Sequence, residues 1–353
     1  MPSIRSIDVK PVSFKLKQPF VTAAGQKTET HNVQITVHLD DGTHGIAEAS
    51  SSIAMPNESQ ENMAKSLKSL IPELYGKPIE NYRELVATAW RLQALHPTAA
   101  SAMECAILDA YTRTLKQSLA DFLGDKSVTV ETDLTLSLNV PKELIKLARN
   151  AAKKGFHRLK VKLAGVSPAE DLERMQAVHK GAPRAVLVAD GNQGFALTQA
   201  VDFVHRMRRA QVPMVFLEQP FRKHDLRAMR FLRQRTHVPV FADEAVLTAA
   251  DAVRVFEAEA ADGVNIKVAK SGLLGALDII HIAQRFQKRL AIGCMEESKV
   301  GLAASVHLAC GTGAFEWVDL DSVFLLEPMT QRGGFLMKGP KFSVKGIGPG
   351  TGL

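Results

Sequence analysis

Between residues 132 and 321 the chain alternates short apolar runs with amphipathic stretches whose apolar residues recur every three or four positions. The runs are TDLTLSL (132–138), RLKVKL (158–163), AVLVAD (185–190), MVFLEQP (214–220), VPVFAD (238–243), GVNIKV (263–268), RLAIGCM (289–295) and FEWVDLD (315–321). Runs this short and apolar predict buried strands, and intervening segments such as PAEDLERMQAVHK predict helices. Parallel strands need crossover connections, so eight strands with seven helices between them predict an α/β protein built on a (β/α)7β TIM-like barrel.

Residues 1–127 lack this rhythm. VKPVSFKL and NVQITVHL alternate with period two around the loop TAAGQKTETH, which predicts antiparallel strands. Three helical stretches follow, the last closed by Gly124. The first third therefore reads as an α+β domain, with the barrel at 128–324. No helix is expected after the eighth strand. The Gly-rich, strand-like tail, 325–353, is expected to pack back on the first domain.

At 46% hydrophobic and 23% charged, the 353-residue chain has the composition of a globular protein. The start alternates polar and apolar residues without a signal-peptide core, and no run reaches membrane-spanning length. Three cysteines without metal-site spacing point to the cytoplasm. A net charge of +7 raises the question of nucleic acid, but the basic residues are scattered over helical faces and aromatics are only 6%. The expected partner is a small molecule, with no nucleic acid or membrane, and the expected assembly is a homo-oligomer.

The chemistry lies at the strand ends. Lys162, Asp190, Glu218, Asp243 and Lys267 each close an apolar run, at steps of 28, 28, 25 and 24 residues. In a barrel those C-terminal ends form the active-site mouth. Asp190, Glu218 and Asp243 on three neighbouring strands would repel one another without a hard cation, and all-oxygen ligation favours Mg²⁺. Lys162 and Lys267 flank them as candidate acid/bases. Side-chain parity adds Lys160 beside Lys162, and pairs Asp319 with Asp321 on the eighth strand. Glu244 has the opposite parity to Asp243. Cys294, with no His at neighbouring strand ends, reads as packing.

Lys160-Val161-Lys162, Asp190, Glu218, Asp243 and Lys267 together resemble the enolase superfamily, in its muconate-lactonizing subgroup. The resemblance covers nearly the whole chain, and makes the first domain a capping domain completed by the tail. It implies that Lys162 and Lys267 are paired acid/bases, that Lys160 supports the base or a substrate carboxylate, and that the three carboxylates bind Mg²⁺. The mandelate-racemase subgroup carries a His on the seventh strand; here that strand ends Gly293-Cys294-Met295. Asp319-Leu320-Asp321 is similar to the Asp-x-Asp with which dipeptide epimerases of the L-Ala-D/L-Glu type hold an α-ammonium group.

The expectation is thus a Mg²⁺-dependent dipeptide epimerase, an isomerase inverting the α-carbon of the C-terminal residue by 1,1-proton transfer through an enediolate. Gly25 stands where Ala-Glu enzymes carry an arginine, with Lys27 as a partial substitute. Glu296, after Met295, adds a carboxylate. Together they imply a preference for basic dipeptides, with Thr135 as a further substrate contact. Three alternatives keep parts of the pattern. An N-succinylamino acid racemase, o-succinylbenzoate synthase or cycloisomerase would use the same metal and lysines. A barrel aldolase would use a Schiff-base lysine, and a non-catalytic binding barrel would need no base on each face.

Overall fold

The computed structural model describes residues 1–353 apart from Asp125 and Met329. The first domain opens with a three-stranded antiparallel sheet, β1 (Ile4–Thr22), β2 (Gly25–Leu39) and β3 (His44–Ala49). The alternation in NVQITVHL buries Val33, Ile35, Val37 and Leu39 on one face. Helices α1 (Gln60–Leu74) and α3 (Pro97–Thr114) pack there, while α2 (Tyr82–Leu92) and α4 (Leu119–Phe122) pack on those helices and on the barrel. Helix α3 is buried almost all round, which fits its place between the sheet and the barrel.

After a short strand, β4 (Thr129–Glu131), the expected rhythm appears in full. The barrel runs β5 (Leu134–Leu136), α5 (Pro141–Lys153), β6 (Arg158–Lys162), α6 (Pro168–Gly181), β7 (Val186–Asp190), α7 (Leu197–Arg209) and β8 (Leu217–Glu218). It continues with α8 (Leu226–Thr236), β9 (Val240–Ala242), α9 (Ala249–Glu257), β10 (Gly263–Lys267), α10 (Val268–Arg285), β11 (Arg289–Gly293), α11 (Lys299–Thr312) and β12 (Trp317–Asp319). The strands pair in sequence order, in parallel, from β5 to β12. The Asp133 N–H donates to the Val318 carbonyl at 2.9 Å, joining the first strand to the last. No helix is long and apolar enough to cross a membrane among the described residues.

One expectation fails locally. A four-residue helix, α12 (Ser322–Leu325), does follow the eighth strand. It is too short to show a helical period, so no repeat in the sequence could reveal it. In the tail, β13 (Leu336–Lys338) and β14 (Lys341–Ser343) form a sheet with β4. Its last residues grip α3 of the first domain: the Thr351 hydroxyl donates to Asp109 at 3.0 Å, and Arg113 donates to the Leu353 carbonyl at 2.8 Å.

Strand register fixes the site. Lys162 pairs with Asp190 and Asp190 with Glu218, while Lys267 pairs with Gly293 and Gly293 with Asp319. The charged ends therefore share one layer of the barrel. One inward step deeper lies an apolar floor of Val188, Phe216, Phe241, Ala291 and Trp317. Phe216 stacks on Phe241 with ring centres 4.0 Å apart.

Candidate active site

Strands β6 and β10 are four places apart in an eight-stranded barrel, so Lys162 and Lys267 face each other across the mouth. Lys162 Nζ lies 2.6 Å from Asp190 and 5.7 Å from the centre of the Phe20 ring, which reaches over from the β1–β2 hairpin. Lys267 Nζ lies 2.8 Å from Asp243. Gly293 makes room for that side chain: a Cβ there would stand 3.0 Å from Lys267 Cε and 2.8 Å from the Asn265 amide. Lys160 is deeper and 1% exposed; its Nζ bridges Glu218 at 2.8 Å, Asp319 at 2.8 Å and Asp190 at 3.1 Å.

The electrostatics follow from burial against these pairings. Burial disfavours the Asp190 carboxylate, but Lys162 and Lys160 overcome it and hold its pKa at about 2. Asp243, also buried, is held well below the usual carboxylate range by Lys267 and Lys270. Glu218 is pushed up to about 7, since burial and three carboxylate neighbours outweigh Lys160. Burial would lower the Lys267 ammonium's pKa, yet Asp243 raises it on balance.

A second acidic group sits beside the lysines. Among the described residues, the three carboxylates whose oxygens lie within 4.8 Å of one another are Asp133, Asp319 and Asp321, all buried. Thr135 braces this group rather than standing apart from it: its N–H donates to Asp321 at 2.5 Å and its hydroxyl to Asp319 at 3.3 Å. Trp317 of the apolar floor donates to Asp133 at 2.6 Å. Burial and the neighbouring Asp319 push Asp321 up to about 7. Among the described residues, Lys160 is the cation in ion-pair contact with this group, at Asp319.

The outer pocket is lined by Phe20, Ala24, Ile53, Met295, Glu296 and Leu325. Glu296 does face it, but its carboxylate is ion-paired with Lys27 of β2. Its carbonyl is fixed by Asn32 at 3.0 Å and Ser50 at 3.3 Å, so the first domain holds this corner. Gly25 lies on the hairpin, where a Cβ would stand 3.2 Å from Ile53. Cys294 also lines the pocket, and burial pushes its thiol well above the usual range, against thiolate chemistry.

Among the described residues, Asp190, Glu218 and Asp243 do not form a carboxylate group with oxygens all within 4.8 Å of one another, as Asp133, Asp319 and Asp321 do. Asp190, Glu218 and Asp243 are buried oxygen donors, and an ammonium group already bridges the first two. Near them, Glu244 Oε2 and Asn192 Oδ1 are buried without a hydrogen-bond partner.

Three participants escaped sequence reasoning. Asp133 shares parity with Thr135, and Asn265, which donates to Glu218 at 2.9 Å, shares parity with Lys267. The rule that found Lys160 would have found both. Lys270, whose Nζ bonds the Asp243 carbonyl and lies 2.6 Å from Asp243 Oδ1, stands past the strand end on α10, where strand parity has no reach.

Fold and site together define an enolase-type barrel with a capping domain, and comparison with known proteins agrees. Residues 143–353 match the enolase C-terminal domain-like family, and residues 4–124 match the mandelate racemase/muconate lactonizing enzyme N-terminal domain; the chain belongs to this family. It is 33% identical to the L-Ala-D/L-Glu epimerase of Thermotoga maritima, covering 94% of this chain and 96% of that protein. It is also 33% identical to the aromatic dipeptide epimerase of Herpetosiphon aurantiacus, covering 96% and 95%. The crystal structure of the dipeptide epimerase from Enterococcus faecalis, complexed with Mg and the dipeptide L-Leu-L-Tyr, superposes with a TM-score of 0.92 at 26% identity, covering 97% of each chain. The chain is an isomerase of the racemase and epimerase kind.

Proposed function

We propose that the protein is a cytoplasmic, homo-oligomeric, Mg²⁺-dependent dipeptide epimerase that inverts the α-carbon of the C-terminal residue by 1,1-proton transfer. The observation that carries this reading is the pairing of opposed lysines with an acidic seat: Lys162 and Lys267 across the mouth, and Asp319 with Asp321 one strand beyond β11. A substrate bearing an α-ammonium group at one end and a carboxylate at the other spans those parts. An N-succinyl or lactone substrate has no cation for the acidic seat.

Asp190, Glu218 and Asp243 would hold the metal, which supplies the positive charge that offsets the negative charge built up as the α-proton leaves. Lys160 lies close enough to two of these ligands to steady a substrate carboxylate beside them. One of Lys162 and Lys267 removes the α-proton, and the other delivers a proton to the opposite face. The Phe20 ring lies over the Lys162 ammonium group, with its centre 5.7 Å from Nζ. Three free cysteines accord with a reducing compartment.

For the side chain of the inverted residue, Glu296 favours a basic group over an acidic one. A ligand cation gains Glu296 only by displacing Lys27, so the two compete for one carboxylate.

Replacing Asp321 with Asn tests the ammonium seat. Losing a charge-assisted contact worth about 1.5–3 kcal/mol should cut kcat/KM for dipeptides roughly 10- to 100-fold. Turnover of an N-succinylamino acid by the wild type, unaffected by Asp321→Asn, would favour the racemase reading instead.

A further inference from the structure

The segment after Lys267 is unusual for a barrel helix. Helix α10 starts at Val268, breaks at Gly272 (φ 70°, ψ 176°) and resumes toward Arg285. A helix that restarts exposes backbone N–H groups at its new first turn, which a local Ser, Thr, Asp or Asn ordinarily caps. Here the cap arrives from another domain. Glu104 of α3, fully buried, accepts the Leu274 N–H at 2.6 Å on Oε1. Its Oε2 accepts the indole N–H of Trp90, on α2, at 2.6 Å. Gly272 is obligatory for two reasons: its positive φ strains any other residue, and a Cβ there would collide with the Glu104 carboxylate. One turn earlier on α3, the Ser101 hydroxyl donates to the Val268 carbonyl at 2.6 Å.

Two residues of one capping-domain helix thus hold both ends of the segment 268–274. That segment begins next to Lys267 and carries Lys270, and both ammonium groups hold Asp243. We propose that Glu104 is a positioning residue which, together with Ser101, sets the geometry of Lys267 and of Asp243 through Lys270. The capping domain then does more than cover the mouth: it braces one base and one metal ligand. A carboxylate in this place is otherwise hard to account for, because among the described residues it has no ion-pair partner and burial pushes its pKa up to about 7. Helix N–H groups are the partners that make such a charge tolerable.

The inference rests on the proposed epimerase reading for its kinetic arm, and the test keeps the two separable. Glu104→Ala, Glu104→Gln and Ser101→Ala are compared with the wild type in three measurements. These are steady-state epimerisation of a dipeptide, Mg²⁺ affinity by calorimetry, and amide hydrogen exchange over residues 268–275. In Glu104→Ala, the Leu273 and Leu274 amides should exchange faster. Mg²⁺ affinity should fall about tenfold, and kcat should fall roughly 10- to 100-fold, the range for partners one shell removed from a metal site. KM should change far less, since Trp90 and Leu274, the hydrogen-bond partners of Glu104 among the described residues, do not line the pocket. Glu104→Gln, which keeps an acceptor oxygen for the helix N–H groups, should recover most of kcat; Ser101→Ala should show a weaker form of the same pattern.

If Glu104→Ala does not fold, the Gln and Ser101→Ala variants carry the test alone. Faster amide exchange with unchanged kcat and Mg²⁺ affinity in the variants would overturn the proposal. So would losses shared equally by kcat and KM in all of them. A wild type that epimerises no dipeptide while the variants still lose Mg²⁺ affinity would contradict the epimerase reading and leave the brace standing.

Discussion

Lys27 and Glu296 show how one contact can alter the meaning of a residue. Read along the chain, Glu296 is a free acid at the rim of the pocket; in the folded protein it already has a cation. Selectivity then depends on a competition between Lys27 and the ligand's side chain. Lys27→Met should raise kcat/KM for Lys- and Arg-containing dipeptides about tenfold relative to Leu-containing ones, equal to about 1.4 kcal/mol. Glu296→Gln should free Lys27 and move preference toward Ala-Glu. A dipeptide panel that ranks substrates identically in all three proteins would show that the pair does not set selectivity. At this scale, legibility followed strand parity. Lys160, Asp319 and Asp321 were visible because residues two apart face one side, and Asp133 and Asn265 obey the same rule. Lys270, Glu104 and the Lys27 contact were hidden because their partners come from helices and loops distant in sequence.

Elements were more legible than contacts. Barrel strands buried on both faces leave apolar runs that need no tertiary information, and all eight stand within the predicted segments. The four-residue α12 and the Gly272 break left no comparable trace. His307, on α11, illustrates how an element is fastened. Its Nδ1 accepts the Ala120 N–H of α4 at 3.1 Å, and its Nε2 donates to the Gly334 carbonyl of the tail at 2.9 Å. Burial lowers its pKa below the ordinary value. Folding therefore favours the neutral ring, so this stability is complete above about pH 6.5 and is lost as the pH falls below it. One proton is worth at most about 1.4 kcal/mol per pH unit. Thermal unfolding between pH 7 and pH 5 should show a shallower acid decline for His307→Gln than for the wild type. Equal slopes would mean that His307 is not the group responsible.

The whole molecule is organised so that the barrel supplies charge and the first domain restrains it. Lysines and carboxylates from β6 to β12 meet in one layer, over a buried apolar floor. Lys27, Asn32 and Ser50 fix the rim on one side, and Ser101 and Glu104 grip the turn after Lys267 on the other. On the proposed reading, this charged layer moves an α-proton of a dipeptide between two faces with Mg²⁺ bound. Incubating the wild type with a dipeptide library in D₂O, with Mg²⁺ or with EDTA, and reading mass and chirality together tests it most directly. One deuterium should appear at the α-carbon of the C-terminal residue, accompanied by inversion, in the Mg²⁺ sample alone. Absence of exchange in every dipeptide, or exchange undiminished by EDTA, would contradict it.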